Sequence, residues 1–166
     1  DRNTSGLLLI AKQPHIQSSL TSTSSPRFHR QYLGIAMGQL RPTEGAIDLP
    51  LGRKPGSLIE QQPTPAGKSA KTCYRVLTET EDASLLALSP ITGRTHQIRV
   101  HLAALGHPLI GDDLYGTPSP LIPRQALHAF RLDLIHPVTR QPLSVSAPPP
   151  DDFLRLSALF ERPAWE

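Results

Sequence analysis

The chain has 166 residues, enough to bury one core and too few for several. Its formal charge of +3 and isoelectric point near 9.4 permit an anionic partner without demanding one. A single cysteine, Cys73, excludes an intrachain disulfide and a cysteine-based metal site, and no apolar run approaches membrane-spanning length.

In chain order, the start at Asp1 with Met37 as the sole methionine marks an expected piece of a longer protein, and no signal peptide is visible. Asp1-Arg2-Asn3-Thr4-Ser5-Gly6 reads as a polar turn, since its Asx, Ser and Thr side chains can bond nearby backbone. The apolar run Leu7 to Ala11 has the length of a strand buried on both faces. A short helix is expected from Pro14 to Ser19, and a Ser/Thr-rich loop from Ser18 to Ser25. Arg30 to Gly38 is a second strand, with Tyr32 and Gly34 on one face and Leu33, Ile35 and Met37 on the other. Leu40 to Gly67 is a Pro- and Gly-containing excursion with one short strand near Gly45 to Leu49. Loops of that length are usually functional or poorly ordered.

Alternation from Lys68 to Thr78, a turn at Thr80 to Ala83 and a return strand from Ser84 to Leu88 predict a hairpin. It leads into Ile91 to His101, a helical stretch dense in hydrogen-bonding side chains. Gly93 suits its irregular start, and Gly106-His107-Pro108 suits its end. The helical period puts Ile98, Leu102 and Leu105 on one stripe, with Arg99 half-buried on one shoulder and Gln97 and His101 on the other. Leu127 to Ile135 alternates as a strand, Pro142 to Ala147 is another, and Asp151 can cap a last helix through Phe160. Strands outnumber helices and come mostly as hairpins. The expected class is α+β, a mixed, largely antiparallel sheet flanked by helices and loops.

Two chemistries find little support. His96 and His101 lie five apart and His107 six further on, whereas a helical metal pair needs three or four. Thr4-Ser5-Gly6 lacks the Gly-x-Ser-x-Gly elbow of a serine hydrolase.

The stretch ITGRTHQIRVHLAALGHPLIGDDLYG, residues 91 to 116, closely resembles the signature of the RluA family of pseudouridine synthases, which isomerise uridine in structured RNA. Asp1-Arg2-Asn3-Thr4-Ser5-Gly6, followed by an apolar run, is similar to that family's catalytic loop, Arg-Leu-Asp-x-x-Thr-Ser-Gly. Arg30-Gln31-Tyr32-Leu33-Gly34 is similar to its second motif, a basic residue, a spacer and a tyrosine in a strand. The three motifs occur in the family's order. The resemblance implies Asp1 as the catalytic aspartate, Tyr32 as the residue that packs on the uracil and the favoured general base, and Arg99 as the basic partner of the aspartate. It also implies that Arg94, Thr95, His96, Gln97 and His101 line the RNA path or brace its loop, that Arg2 and Thr4 contact RNA, and that Lys68 contacts a phosphate.

No metal or organic cofactor is implied. The partner would be RNA, ribosomal RNA of the large subunit first and tRNA second, acted on by a cytoplasmic monomer with no membrane association. Residues 1 to 166 would form a single, partial pseudouridine synthase domain whose N-terminal strands, and the Arg-Leu pair before the aspartate, lie upstream. The alternative is a non-catalytic RNA-binding module or an inactive fragment.

Overall fold

The computed structural model describes residues 1–21 and 28–160. In chain order its elements are β1 (Ser5–Gly6), α1 (Pro14–Thr21), β2 (Phe28–Met37), β3 (Glu44–Asp48), β4 (Leu51–Arg53), β5 (Gln61–Pro63), β6 (Lys71–Glu79), β7 (Ala83–Pro90), α2 (Gln97–Ala104), β8 (Leu127–Ile135), β9 (Pro142–Ser146) and α3 (Asp151–Ser157). Among the described residues, seven strands form one sheet in the order β1-β8-β2-β7-β6-β3, with β9 also on β8, and β4 and β5 form a separate ribbon. The β1–β8 pair is parallel, and the other pairs of the large sheet are antiparallel. This is the α+β, largely antiparallel arrangement that the pattern of short strands predicts.

The period of two along the central strands builds two cores. On one face Ala36, Leu86, Leu88 and Leu127 pack against Ile98 and Leu102 of α2, with Tyr32 at the margin. On the other, Leu33, Ile35 and Leu85 pack against Phe153 and Leu156 of α3. Each fully buried leucine contributes about 1.5–3 kcal/mol relative to exposure, so both helices are held on the sheet by their apolar stripes.

Several expectations are corrected. Leu7 to Ala11 is not a buried strand. Only Ser5 and Gly6 pair with β8, and Leu8 and Ile10 are 80% and 72% exposed. Gly6 has φ +95°, which turns the chain off the ladder, and the next edge of β8, Arg131 to Ile135, is already taken by β9. A Cβ on Gly6 would lie 2.2 Å from the Ala129 carbonyl oxygen, so the turn admits glycine alone.

Ser18 is helical rather than the start of a loop, its hydroxyl donating to the Pro14 carbonyl at 3.1 Å; residues 22–25 of the expected loop lie outside the described residues. Leu105 leaves the stripe of α2 because the helix stops at Ala104 and the left-handed Gly106 turns the chain away. Asp151 is the first residue of α3 and does not cap it; Pro150 holds the cap position, and the helix ends at Ser157.

Candidate active site

Asp1 opens a turn closed by the Thr4 N–H on the Asp1 carbonyl, 3.3 Å. The turn leads into β1 and overhangs the sheet face that α2 covers. There Asp1, Thr4, Arg30, Tyr32 and the segment from Thr92 to Ile98 line one cleft of about 370 Å³. Sites of this size hold small ligands or single residues of larger ones.

The right-hand wall is built on the start of α2. Arg99 is 5% exposed and Asp112 is fully buried. The expectation of a half-buried Arg99 is therefore corrected: Asp112 and Tyr115 fold back over it. Arg99 Nε and Nη2 donate to the two Asp112 oxygens at 2.7 Å each. Its guanidinium carbon sits 5.1 Å over the Tyr115 ring, a cation–π contact. What remains, Nη1, faces Asp1 Oδ2 at 4.0 Å. Burial alone would raise the Asp112 carboxyl, but the Arg99 bonds and the Tyr115 and Leu114 N–H groups outweigh it and hold the carboxyl below its ordinary value. The pair therefore stays charged, and it aims one fixed guanidinium edge at Asp1.

His96 caps α2 from a left-handed backbone, φ 54°. Its Nδ1 lies 2.7 Å from the Tyr115 hydroxyl, which also accepts the Gln61 N–H at 2.8 Å. Among the described contacts that hydroxyl proton has no other acceptor, so it goes to Nδ1 and the imidazole proton sits on Nε2. Nε2 points at Asp1 Oδ1, 3.8 Å away. Burial and the charge of Arg99 push the His96 pKa down, so the ring is neutral near pH 7. Burial raises the Tyr115 phenol, which keeps its proton.

The structure thus gathers Asp1, Thr4, Tyr32, Arg94, Thr95, His96 and Gln97 around one cleft, with Arg99 behind Asp1. Gln97 is spent internally. Its amide donates to the Lys71 carbonyl and Thr72 Oγ1, and accepts from the Thr92 hydroxyl and the Arg94 N–H, all at 2.7–3.0 Å. His101 is fully buried between Thr72 Oγ1 at 2.9 Å and the Leu49 carbonyl at 3.0 Å. Gln97 and His101 are braces in this fold; a contact of His101 with RNA is corrected, because no surface of it is open. Arg94 reaches the Ser69 carbonyl at 2.9 Å, and Thr95 is open at the rim. Arg2 and Lys68 are exposed but do not line the cleft.

Three further residues enter the site. Asp112 and Tyr115 lie in the GDDLYG end of the signature stretch, but a sequence does not tell which carboxylate an arginine takes. Arg30, the basic residue of the second motif, donates from Nη2 to the Thr92 carbonyl at 3.2 Å and lines the cleft. A Cβ on Gly93 would stand 3.0 Å from this guanidinium, so a side chain there would have to displace the tip of Arg30. Among the described residues no group of three His, Cys, Asp or Glu side chains is arranged to hold a metal ion.

The sheet with its two covering helices is the fold of pseudouridylate synthase domains. The human RNA Pseudouridylate Synthase Domain Containing 1 superposes with a TM-score of 0.69 at 29% identity, covering 81% of this chain and 60% of that one. The sequence profile described as RNA pseudouridylate synthase matches residues 1–104, and the chain belongs to that family. An uncharacterized RNA pseudouridine synthase of Bacillus subtilis, YjbO, is 44% identical over 157 residues, 94% of this chain and 56% of that protein. Ribosomal large subunit pseudouridine synthase D of Nitrosomonas europaea is 43% identical over 166 residues, covering 94% and 48%. The resemblance to RluA-type enzymes read from the three motifs is borne out. The chain spans about half the length of the curated relatives it matches.

Proposed function

We propose that this chain is one catalytic domain of an RNA pseudouridine synthase and that Asp1 is its nucleophile. The observation that carries the reading is the joint placement of Asp1 and Tyr32 in one polar cleft, with the Arg99 guanidinium and the His96 Nε2 proton both turned toward the Asp1 carboxylate. Only a carboxylate is nucleophilic, and a guanidinium nitrogen and an imidazole nitrogen both face it without bonding it.

A uridine turned out of its stack enters the cleft. Asp1 adds to it, the bond between C1′ and N1 breaks, the uracil rotates, a bond forms between C5 and C1′, and the bond to Asp1 breaks to return the free carboxylate. Tyr32, which lines the cleft, offers a ring face to the base and a phenolic oxygen that takes the C5 proton while its own passes on to solvent. A proton returns to N1, so the sum is an isomerisation with nothing oxidised or hydrolysed. Arg94 and Thr95 at the rim, with Arg30 inside, supply polar contacts to the RNA strand. Ribosomal RNA of the large subunit is the first substrate to test, because the Nitrosomonas relative carries that substrate in its name; tRNA is the second.

The test is tritium release from RNA labelled at uridine C5, using the full-length gene product and its Asp1→Asn variant. The parent is expected to release tritium and the variant none, with RNA binding retained. Release by the variant would remove Asp1 from the mechanism. No release by either on ribosomal and transfer RNA would leave a non-catalytic RNA-binding protein.

A further inference from the structure

Among the described residues the Asp1 carboxylate has no hydrogen bond that would fix it: its charged neighbours stand 3.8 and 4.0 Å away, past hydrogen-bond range. The bond that closes its own turn is long, 3.3 Å. Its position must therefore come through the backbone, and a second set of residues grips that backbone from behind.

Arg124 precedes β8. Its Nε and Nη2 donate to the two Asp152 oxygens on α3, both at 2.8 Å. Its remaining Nη1 faces the carbonyls of Asn3 at 3.3 Å, Gln125 at 3.3 Å and Leu127 at 3.2 Å. Gln125 is buried and donates from Nε2 to Thr4 Oγ1 at 3.2 Å. His128 Nε2 faces the Ala147 carbonyl at 2.9 Å and so carries the ring proton. Its Nδ1 then accepts from the Ser5 hydroxyl at 3.0 Å. Three consecutive residues of the Asp1 turn, Asn3, Thr4 and Ser5, are thus each held by a different residue of the 124–128 segment. That segment, like α3, lies beyond residue 104, where the family profile ends.

We propose that Arg124, locked onto α3 by Asp152 and helped by Gln125 and His128, is a positioning residue that sets where the Asp1 carboxylate sits in the cleft. The guanidinium suits the task because its fork uses two donors on a carboxylate and still has a third for a carbonyl. A lysine has one point of charge and cannot do both. The anchor is firm, since Asp152 sits one residue before Phe153, which is fully buried in the core under the sheet. Displacing a reacting group by about 1 Å costs up to a hundredfold in rate. The inference rests on the reading of Asp1 as nucleophile.

The experiment uses the full-length enzyme with the substitutions Arg124→Lys and Asp152→Asn, beside Asp1→Asn. Tritium release gives kcat and KM for RNA, and thermal unfolding gives stability. Amide hydrogen exchange over residues 1–6 without RNA reports on the loop itself. We expect Arg124→Lys to lower kcat about tenfold or more, to leave KM within twofold, and to speed exchange in the loop. Asp152→Asn keeps the guanidinium but frees it, and is expected to fall between parent and Arg124→Lys in both readouts. Unchanged kcat in a folded Arg124→Lys enzyme, a rise in KM alone, or unchanged exchange in the loop would overturn the proposal. If Arg124→Lys does not fold, Asp152→Asn decides by the same criteria. A parent without tritium release would defeat the reading of Asp1, while the exchange data would still decide whether Arg124 holds the loop.

Discussion

Two arginine–carboxylate pairs in this molecule have nearly the same bond lengths and opposite surroundings, one made side-on through Nε and Nη2, the other end-on through Nη1 and Nη2. Arg99 meets Asp112 through two bonds of 2.7 Å, with side chains 6% and 0% exposed. Arg41 meets Glu79 through bonds of 2.7 and 2.6 Å, with side chains 55% and 27% exposed. The exposed pair hangs between the loop after β2 and the end of β6, where water and salt compete for both charges. The buried pair is shielded from water and salt, and Asp112, itself held by the Leu114 and Tyr115 N–H groups, keeps one guanidinium edge turned toward Asp1. Contacts of similar length therefore serve different ends: one decorates a surface, the other fixes the orientation of an arginine beside a cleft.

The largest break in this comparison is Asp112→Asn. It strands the Arg99 charge in the interior, a loss of about 3–5 kcal/mol and roughly 6–20 °C in Tm. Tritium release should fall with it, because Arg99 is no longer aimed. Calorimetry and the release assay on the same preparation check both.

A pH titration sharpens the contrast. The native Asp112 carboxyl is held below its ordinary value by Arg99 and the Tyr115 and Leu114 N–H groups, while the unfolded one titrates at about 3.9. A depressed native value means stability that is present above about pH 4 and is withdrawn as pH falls through the native value. Glu79 is lowered too, through its bond to Arg41, and acts in the same direction. Molar salt separates them, since a screening length of about 3 Å erases the exposed contribution and spares the buried one. Urea unfolding between neutral and acid pH in molar salt should keep the Asp112 part of the slope, and Asp112→Asn should remove it.

Tyr115→Phe is a smaller cut into the buried side. It leaves the Gln61 N–H without its acceptor and the His96 ring without its anchor, for about 1 kcal/mol of stability. Its activity loss should exceed what that stability change explains. The smallest effect belongs to Glu79→Gln, for which Tm and tritium release should stay within the scatter of the parent. A clear drop in either would mean that the exposed pair matters more than its surroundings allow.

Much of this was legible from the residues. The strand at Leu127 to Ile135 falls where alternation puts it, and the hairpin of β6 and β7 follows from two alternating runs around a turn. The motif residues Asp1, Tyr32 and Thr92 to His96 do meet in one cleft. Other features escape a pattern. A run of polar residues on a helix looks the same whether its side chains face water or are buried and fully bonded, and Gln97 and His101 are the latter. The partner of Arg99 is thirteen positions away, past a left-handed turn at Gly106, and no periodicity points to it. Leu7 to Ala11 reads as a buried strand because hydrophobicity does not reveal that Gly6 turns the chain and that β9 already fills the neighbouring edge.

The parallel pairing of β1 with β8 has a consequence for synthesis on the ribosome. Ser5 and His128 are 123 residues apart. At about 5–20 residues per second, the loop that bears Asp1 waits roughly 6–25 s after its own translation before its docking strand exists. Until then Gly6 has no ladder to leave and Asp1 has no fixed place, so the Asp1 loop is set only after β8 has been made. A nascent chain arrested before Arg124 would have its central hairpin and an unanchored Asp1 loop.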